Sequence, residues 1–206
     1  MTDWNSVSVK TPPTLKPLVP ADIRTHLNLG TADATDDYLN LLIDAAIAQV
    51  DGGADGIGYA MLAQTWLLTF DNFKWSSPID LLGWPVNNLV SIKYAENEQS
   101  EIQTLNPNLY SLVKERTIAQ VYPINTDGEW SYWPTDLDYR PGKVQVEYTL
   151  GAASAADVPA DLKMALLMMI GKWFMAREGL VSMNLSEIPS GSTAILNKYR
   201  WGAAAA

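Results

Sequence analysis

The side chains that could do chemistry in this sequence are few, and they do not combine into a working set. His26 is the sole histidine. It falls in the short helical stretch Pro20-Ala-Asp-Ile-Arg-Thr-His-Leu27, with no G-x-S-x-G motif elsewhere to supply a nucleophile. It reads as a helix-surface or capping residue. Cysteine is absent, which removes thiolate nucleophiles, disulfides and cysteine-based zinc sites. Asp51-Gly-Gly-Ala-Asp-Gly-Ile-Gly58 is glycine-rich, yet it lacks the Lys-Ser/Thr of a phosphate loop and follows a helical pattern rather than a strand. It reads as a turn between helix and sheet. Asp33, Asp36 and Asp37 lack the EF-hand spacing and its closing Glu, and helix capping accounts for them. No pair of carboxylates stands out as general acid and base. What remains is the aromatic group Trp130, Tyr132, Trp133 and Tyr139, with Trp75 and Trp84. Such rings stack on sugars or bases, and equally fill a thin sheet core or an interface. The sequence thus predicts no enzyme, no cofactor and no metal site. A carbohydrate- or polymer-binding module using the β-region aromatics stands as the alternative to a protein that works through protein contacts.

The elements that must position these residues follow from periodicity. The 206 residues suit one domain, or a core with one insertion. A net charge of −9 argues against a nucleic-acid-binding surface, but does not exclude a surface that DNA slides past, because like charge repels phosphate. The start, Met1-Thr-Asp-Trp-Asn-Ser6, has neither the basic residues nor the apolar run of a signal peptide, so the expected location is the cytoplasm, or something assembled in it. Residues 1–19, with Pro12, Pro13 and Pro17, read as an extended N-terminal arm. A helix over Pro20–Leu27 precedes a second one capped by Thr35, whose apolar stripe is Leu39, Leu42, Ile43, Ala46, Ile47 and Val50, ending at Gly52-Gly53. From Gln64 the period shortens. Thr65–Phe70, Leu89–Tyr94, Tyr110–Lys114, Ile118–Tyr122 and Lys143–Thr149 read as strands, the last alternating strictly, with a hairpin tip at Glu96–Ser100 and a turn at Asp127-Gly128. The expected class is α+β: a helical bundle core (20–63 and 151–201) with an inserted antiparallel β region (64–150) and a C-terminal tail (202–206).

The stretch Asp157–Glu178 carries more apolar surface than one core needs. Asp157 is the expected N-cap, Pro159 sits in the first turn and Gly179 supplies the stop. Leu162, Ala165, Leu166, Met169, Trp173 and Ala176 share one face. Met164, Leu167, Met168, Gly171 and Met175 share nearly the opposite one, and polar residues form only thin seams, Asp161 with Lys172 and Lys163 with Arg177. A helix apolar nearly all round is buried on both sides. Either its own domain wraps it or a second subunit covers one face. A membrane span is excluded by the short apolar run and by Lys163 and Lys172. After a Pro/Gly/Ser loop over 186–192, a short final helix carries Ile195, Leu196, Tyr199 and Trp201. So short a helix is marginal alone and is expected to order only against a partner, with folding back onto its own helices as the alternative.

Read in order, these pieces resemble the head-tail connector (adaptor) proteins of long-tailed bacteriophages and related gene transfer agents. The resemblance runs from about Pro12 to the C-terminal helix. It rests on Lys16-Pro-Leu-Val-Pro-Ala-Asp-Ile-Arg-Thr-His-Leu27, on Thr35-Asp-Asp-Tyr-Leu39 with Leu42, Ile43, Ala45 and Ala46, and on Asp51-Gly52 and Gly58. Gln64-Thr-Trp66, leading into Leu68 and Asp71, opens the β region. Trp133-Pro134, Pro141-Gly-Lys-Val144 and Tyr148-Thr-Leu-Gly151 follow. The set closes with Val158-Pro159, Leu162-Lys163, Gly171-Lys-Trp-Phe174, Arg177-Glu178, Leu196 and Tyr199-Arg200. The chain departs from the family pattern at Gly58-Tyr-Ala60, where Gly-Arg-Ala is common, and at Lys172, where His is commoner.

The resemblance implies a structural protein of the virion or gene-transfer-agent neck, assembled in the host cytoplasm. Its implied partners are the portal protein, a stopper (head-closure) or tail protein, and further copies of itself in a ring of roughly twelve, which cyclic closure builds from heterologous contacts. DNA passes through the channel without specific binding. The site residues implied are Ile195, Leu196, Tyr199, Arg200 and Trp201 for the portal. Met164, Leu167, Met168, Gly171 and Met175 are those for the subunit interface.

Overall fold

The computed structural model describes residues 6–51, 56–74, 76–96, 101–114, 118–135, 137, 141–176 and 191–200. Two amphipathic patterns of different period build it. Strand β8 (Val144–Leu150) alternates as expected, with Val144, Val146, Tyr148 and Leu150 buried. Strand β2 (Gln64–Phe70) lies beside it in antiparallel register, Trp66 opposite Tyr148 and Leu68 opposite Val146. With β1 (Ser6–Thr11), β4 (Val86–Tyr94) and β5 (Gln103–Thr104), these form a five-stranded sheet in the order β1-β2-β8-β4-β5. A second sheet, β3-β7-β6, joins β3 (Ile79–Asp80), β6 (Tyr110–Val113) and β7 (Gln120–Pro123). Both sheets are antiparallel throughout.

Part of the expected N-terminal arm is therefore an edge strand. Ser6-Val-Ser-Val-Lys-Thr11 pairs with β2, and Lys10 reaches across to Glu147 at 2.6 Å. The sheet has its own core of Trp66, Leu68, Ile92, Val146, Tyr148 and Leu150. Trp66 fits because Gly83, at φ +79°, has no side chain: a Cβ there would lie 2.6 Å from the indole ring. The Tyr148 hydroxyl donates to the Leu82 carbonyl at 2.6 Å, which satisfies the one polar atom of a fully buried ring.

Helix α1 (Pro20–Leu27) starts as expected, with Pro20 in the first turn and the Asp22 carboxylate accepting from the Val19 amide at 2.8 Å. Helix α2 (Asp36–Val50) is capped by Thr35, whose hydroxyl accepts from the Tyr38 amide at 3.3 Å. Helix α3 (Ala160–Met175) begins one turn later than its expected cap. Asp157 instead closes a preceding 3-10 turn, accepting from the Ser154 hydroxyl at 2.7 Å. Helix α4 (Gly191–Lys198) runs beside α3. A second core gathers Ile23, Leu39, Ile43, Ala46, Leu162, Leu166 and Ile170 with Ile57, Tyr59, Met61 and Leu62 from the segment before β2.

This corrects the expected architecture. The protein is mixed α+β, with four helices and two antiparallel sheets among the described residues, and it is not a helical bundle core carrying a β insertion. The reason is physical: the sheet buries a complete core of its own, and the helices bury theirs partly against chain leading into the sheet. Residues 97–100 of the hairpin tip, Gly52-Gly53, Arg177-Glu178, the Gly179 stop, the loop over 186–190 and the tail over 202–206 lie outside the described residues.

Candidate functional site

Helix α3 does have two faces, but not those expected. Leu162, Ala165, Leu166, Ile170 and Gly171 are buried inside the chain. Met164, Met168 and Met175 are 45, 38 and 82 % exposed, and Leu167 is half-buried. Spacings of four and seven residues place these three methionines in one row along the helix. Gly171 moves to the inner side: a Cβ on it would lie 3.1 Å from Leu27 Cδ2 of α1. Its missing side chain admits a neighbour within the same chain. Met169 and Trp173 are half-buried, and Ala176, assigned to the inner face, is exposed.

Helix α4 is docked on its own chain, contrary to the expectation that it orders only against a partner. Tyr199 is buried and stacks on Trp84, centroids 5.7 Å apart and planes at 12°. Tyr59 meets both rings edge-on, at 4.8 Å from Trp84 and 5.3 Å from Tyr199. The Trp84 indole N–H donates to the Tyr199 carbonyl at 3.0 Å. The Tyr199 hydroxyl donates to Asp161 Oδ1 at 2.6 Å, and Lys198 Nζ lies 3.0 Å from Asp161 Oδ2. The Tyr199 hydroxyl first and Lys198 second hold the Asp161 carboxyl below its ordinary range. Burial, then the bond to Asp161, pushes the Tyr199 hydroxyl up. Burial, followed by the charges of Tyr199, Asp161 and Asp51, pushes Tyr59 up to about 12. Charge and geometry here fasten a helix. They present no nucleophile. Of the residues assigned to the portal, Tyr199 is thus an internal anchor, Ile195 and Leu196 are half-buried, Arg200 is exposed, and Trp201 lies outside the described residues. Asp161, Tyr59 and Trp84 are the partners that sequence reasoning missed. A single acid in an otherwise apolar helical run is the signal that could have pointed to Asp161.

The remaining chemical candidates also resolve into structure. Asp51 caps the end of α2 and accepts from Gln64 Nε2 at 2.8 Å and from the Met61 amide at 3.2 Å. Gln64 in turn accepts from the Trp66 indole at 2.9 Å. Burial outweighs these bonds and pushes the Asp51 carboxyl above its ordinary value. Asp33 accepts from the Gly30 amide at 2.6 Å and closes a turn, while Arg24 ties the Ala34 carbonyl to Asp36. His26 is exposed on the last turn of α1. Among the described residues, no group of three or more His, Cys, Asp or Glu side chains could hold a metal, and no helix is long and apolar enough to cross a membrane.

The aromatic group does not converge on one site. Trp133 is buried, stacks on Phe73 at 5.0 Å and donates to the Ser77 carbonyl at 2.8 Å. Trp84 belongs to the α4 anchor. Trp130 and Tyr132 are exposed, Trp130 edge-on to Tyr122 at 5.3 Å, and Tyr132 borders an open groove of about 510 Å³ with Leu105, Leu109 and Ile124. Trp75 and Tyr139 lie outside the described residues.

No protein-family model matches the sequence, and no curated protein matches it significantly. Solved structures do. A chain in the neck of an empty GTA particle, computed with C6 symmetry, superimposes with a TM-score of 0.72 over 95 % of both chains at 22 % identity. This chain shares its fold with chains of gene transfer agent particles. A chain in the virion of a native gene transfer agent particle gives a TM-score of 0.71 over 94 % of each chain at 22 % identity. One in the neck of a native particle, computed with C12 symmetry, gives 0.64 over 97 % of this chain and 95 % of that one at 20 % identity. The resemblance drawn from ordered sequence pieces thus agrees with the gene transfer agent neck structures in fold.

Proposed function

We propose that this chain is a structural neck protein of a gene transfer agent or tailed-phage particle. It forms a ring beneath the portal, joins head to tail and extends the DNA channel. The observation that carries this reading is the fold match to a neck chain over 95 % of both chains. A ring of more than two copies joins each subunit to the next through two different surfaces. The exposed row of Met164, Met168 and Met175, with Leu167 beside it, is one such surface: unbranched methionine adapts to an irregular partner. The end of α4, with Arg200 exposed and Ile195 and Leu196 half-buried, meets the portal, and Tyr199 holds that helix in place. The net charge of −9 keeps DNA from adhering to the channel wall. No catalysis belongs to this reading, and reproducible turnover abolished by one polar substitution would overturn that part of it.

The test is size-exclusion chromatography with light scattering of the purified chain, alone and with the portal. A stable complex of many copies per portal ring is the expected result. A chain that never associates with a portal, and is missing from purified particles, would overturn the proposal.

A further inference from the structure

Helix α2 carries an exposed row at the same spacing as the one on α3. Asp37, Leu41, Ala45 and Ala48 are exposed at i, i+4, i+8 and i+11, and Leu41 is 63 % exposed. On α3, Met164, Met168, Lys172 and Met175 are exposed at the same four steps. Each row spans about 16 Å at the rise of an α-helix. The two differ in size and sign. The α2 row is mostly small and lies beside the acids Asp37 and Asp44, while the α3 row is large, flexible and carries Lys172. Lys16 binds Asp44 at 2.6 Å, and its sequence neighbour Leu15 is exposed.

We infer that the α2 row of one copy is the seat of the α3 row of the next copy around the ring. The occupant of each row is thus a second copy of this chain, and the inference rests on the ring reading above. Methionines enter the shallow notches over Ala45 and Ala48, as ridges enter grooves between packed helices. Lys172 of one copy faces Asp37 of the other. Either row packed on its own counterpart would set like charge against like, Asp37 with Asp37 on one side or Lys172 with Lys172 on the other. Pairing unlike rows removes that repulsion and gives the heterologous contact that cyclic symmetry requires.

The chain has no cysteine, so introduced thiols report contacts without background. Leu41→Cys, Met168→Cys and the double variant are made in the producing cells. The particles are purified, treated with a short bismaleimide and run on a denaturing gel. The double variant should give a ladder of covalent multimers, the two single variants expressed together should give dimers and no higher species, and each single variant alone should stay monomeric. Particles that contain the double variant without a ladder, or a single variant that links to itself, would overturn the pairing and leave the ring reading standing. Absence of the unmodified chain from particles would overturn the ring reading, and the pairing with it. Ala45→Trp gives a second readout. It fills a notch on an exposed helix face, so the purified variant should keep its circular dichroism while its incorporation into particles falls roughly tenfold or more. Unchanged incorporation would overturn the pairing.

Discussion

At Asp161 three donors meet one carboxylate: the Tyr199 hydroxyl, the Lys198 amine and the Leu162 amide. Tyr199→Phe removes the first of these and keeps the ring stacked on Trp84. The expected loss is about 1 kcal/mol, because the carboxylate stays partly open to water. It should show as faster hydrogen exchange in α4 with little change in the sheet. The pH dependence has a defined sign. The Asp161 carboxyl lies below its ordinary 3.8, so its stabilisation of α4 is complete above that value and is lost as pH falls through the lowered one. Tyr199 lies above its ordinary 10.0, so its contribution is complete below that value and is lost as pH rises through the raised one. Trp84 fluorescence, read against a Trp84→Phe variant, should therefore be flat between these limits and change at both ends. A change near pH 7 would contradict the assignment. In the β half, Gln64→Leu strips the buried Trp66 indole of its acceptor and Asp51 of a donor. It should cost about 2–4 kcal/mol in urea unfolding. The Tyr199 contacts are not visible as a motif, because Tyr199 is joined to Trp84 and Asp161 only by the fold. The aromatic residues stood out in the sequence by type, but type alone does not separate the buried Trp133 from the exposed Trp130.

The elements that sequence reasoning located share a short-range signal. Strand β8 alternates over seven residues, and α2 pairs a Thr cap with an apolar stripe, so both emerged within a residue or two of their bounds. In the sequence, strand β1 reads as part of an arm because the prolines after it outweigh the alternation of Ser6, Ser8 and Lys10 with Val7 and Val9. Pairing with β2, nearly sixty residues away in sequence, is what makes it a strand. The two-sided character of α3 was legible, whereas the neighbour beside Gly171 was not. Leu27 covers it from α1, and no periodicity within α3 encodes that contact. Gly171→Leu should thus destabilise the isolated chain by about 1–3 kcal/mol through overpacking, measured as a lowered Tm. An unchanged Tm with failed assembly would return Gly171 to the subunit interface. The helical bundle expectation failed for a related reason. Contiguous helices at both ends of a chain suggest one helical core, but they do not show that the strands between them bury an equal one.

Across the described residues, two cores bury most of the apolar side chains, and the most clustered of those left exposed fall into two groups. The exposed methionines of α3 and Leu41 of α2 lie on helices, while Trp130 and Tyr132 lie beyond the second sheet. The proposed ring would bury the first group as two sides of one repeated contact. The net charge of −9 would leave its lumen free of tight phosphate contacts, so DNA association should stay negligible even at low salt, where electrostatic binding is strongest. The most direct test of the central claim is cryo-EM of the neck of particles that carry this chain, reconstructed with cyclic symmetry. The account predicts a ring of copies around the DNA axis directly below the portal, each density matching the five-stranded sheet and four helices, with α3 of one copy against the next. A neck whose density is filled by other chains, with this protein absent or located elsewhere in the particle, would contradict it.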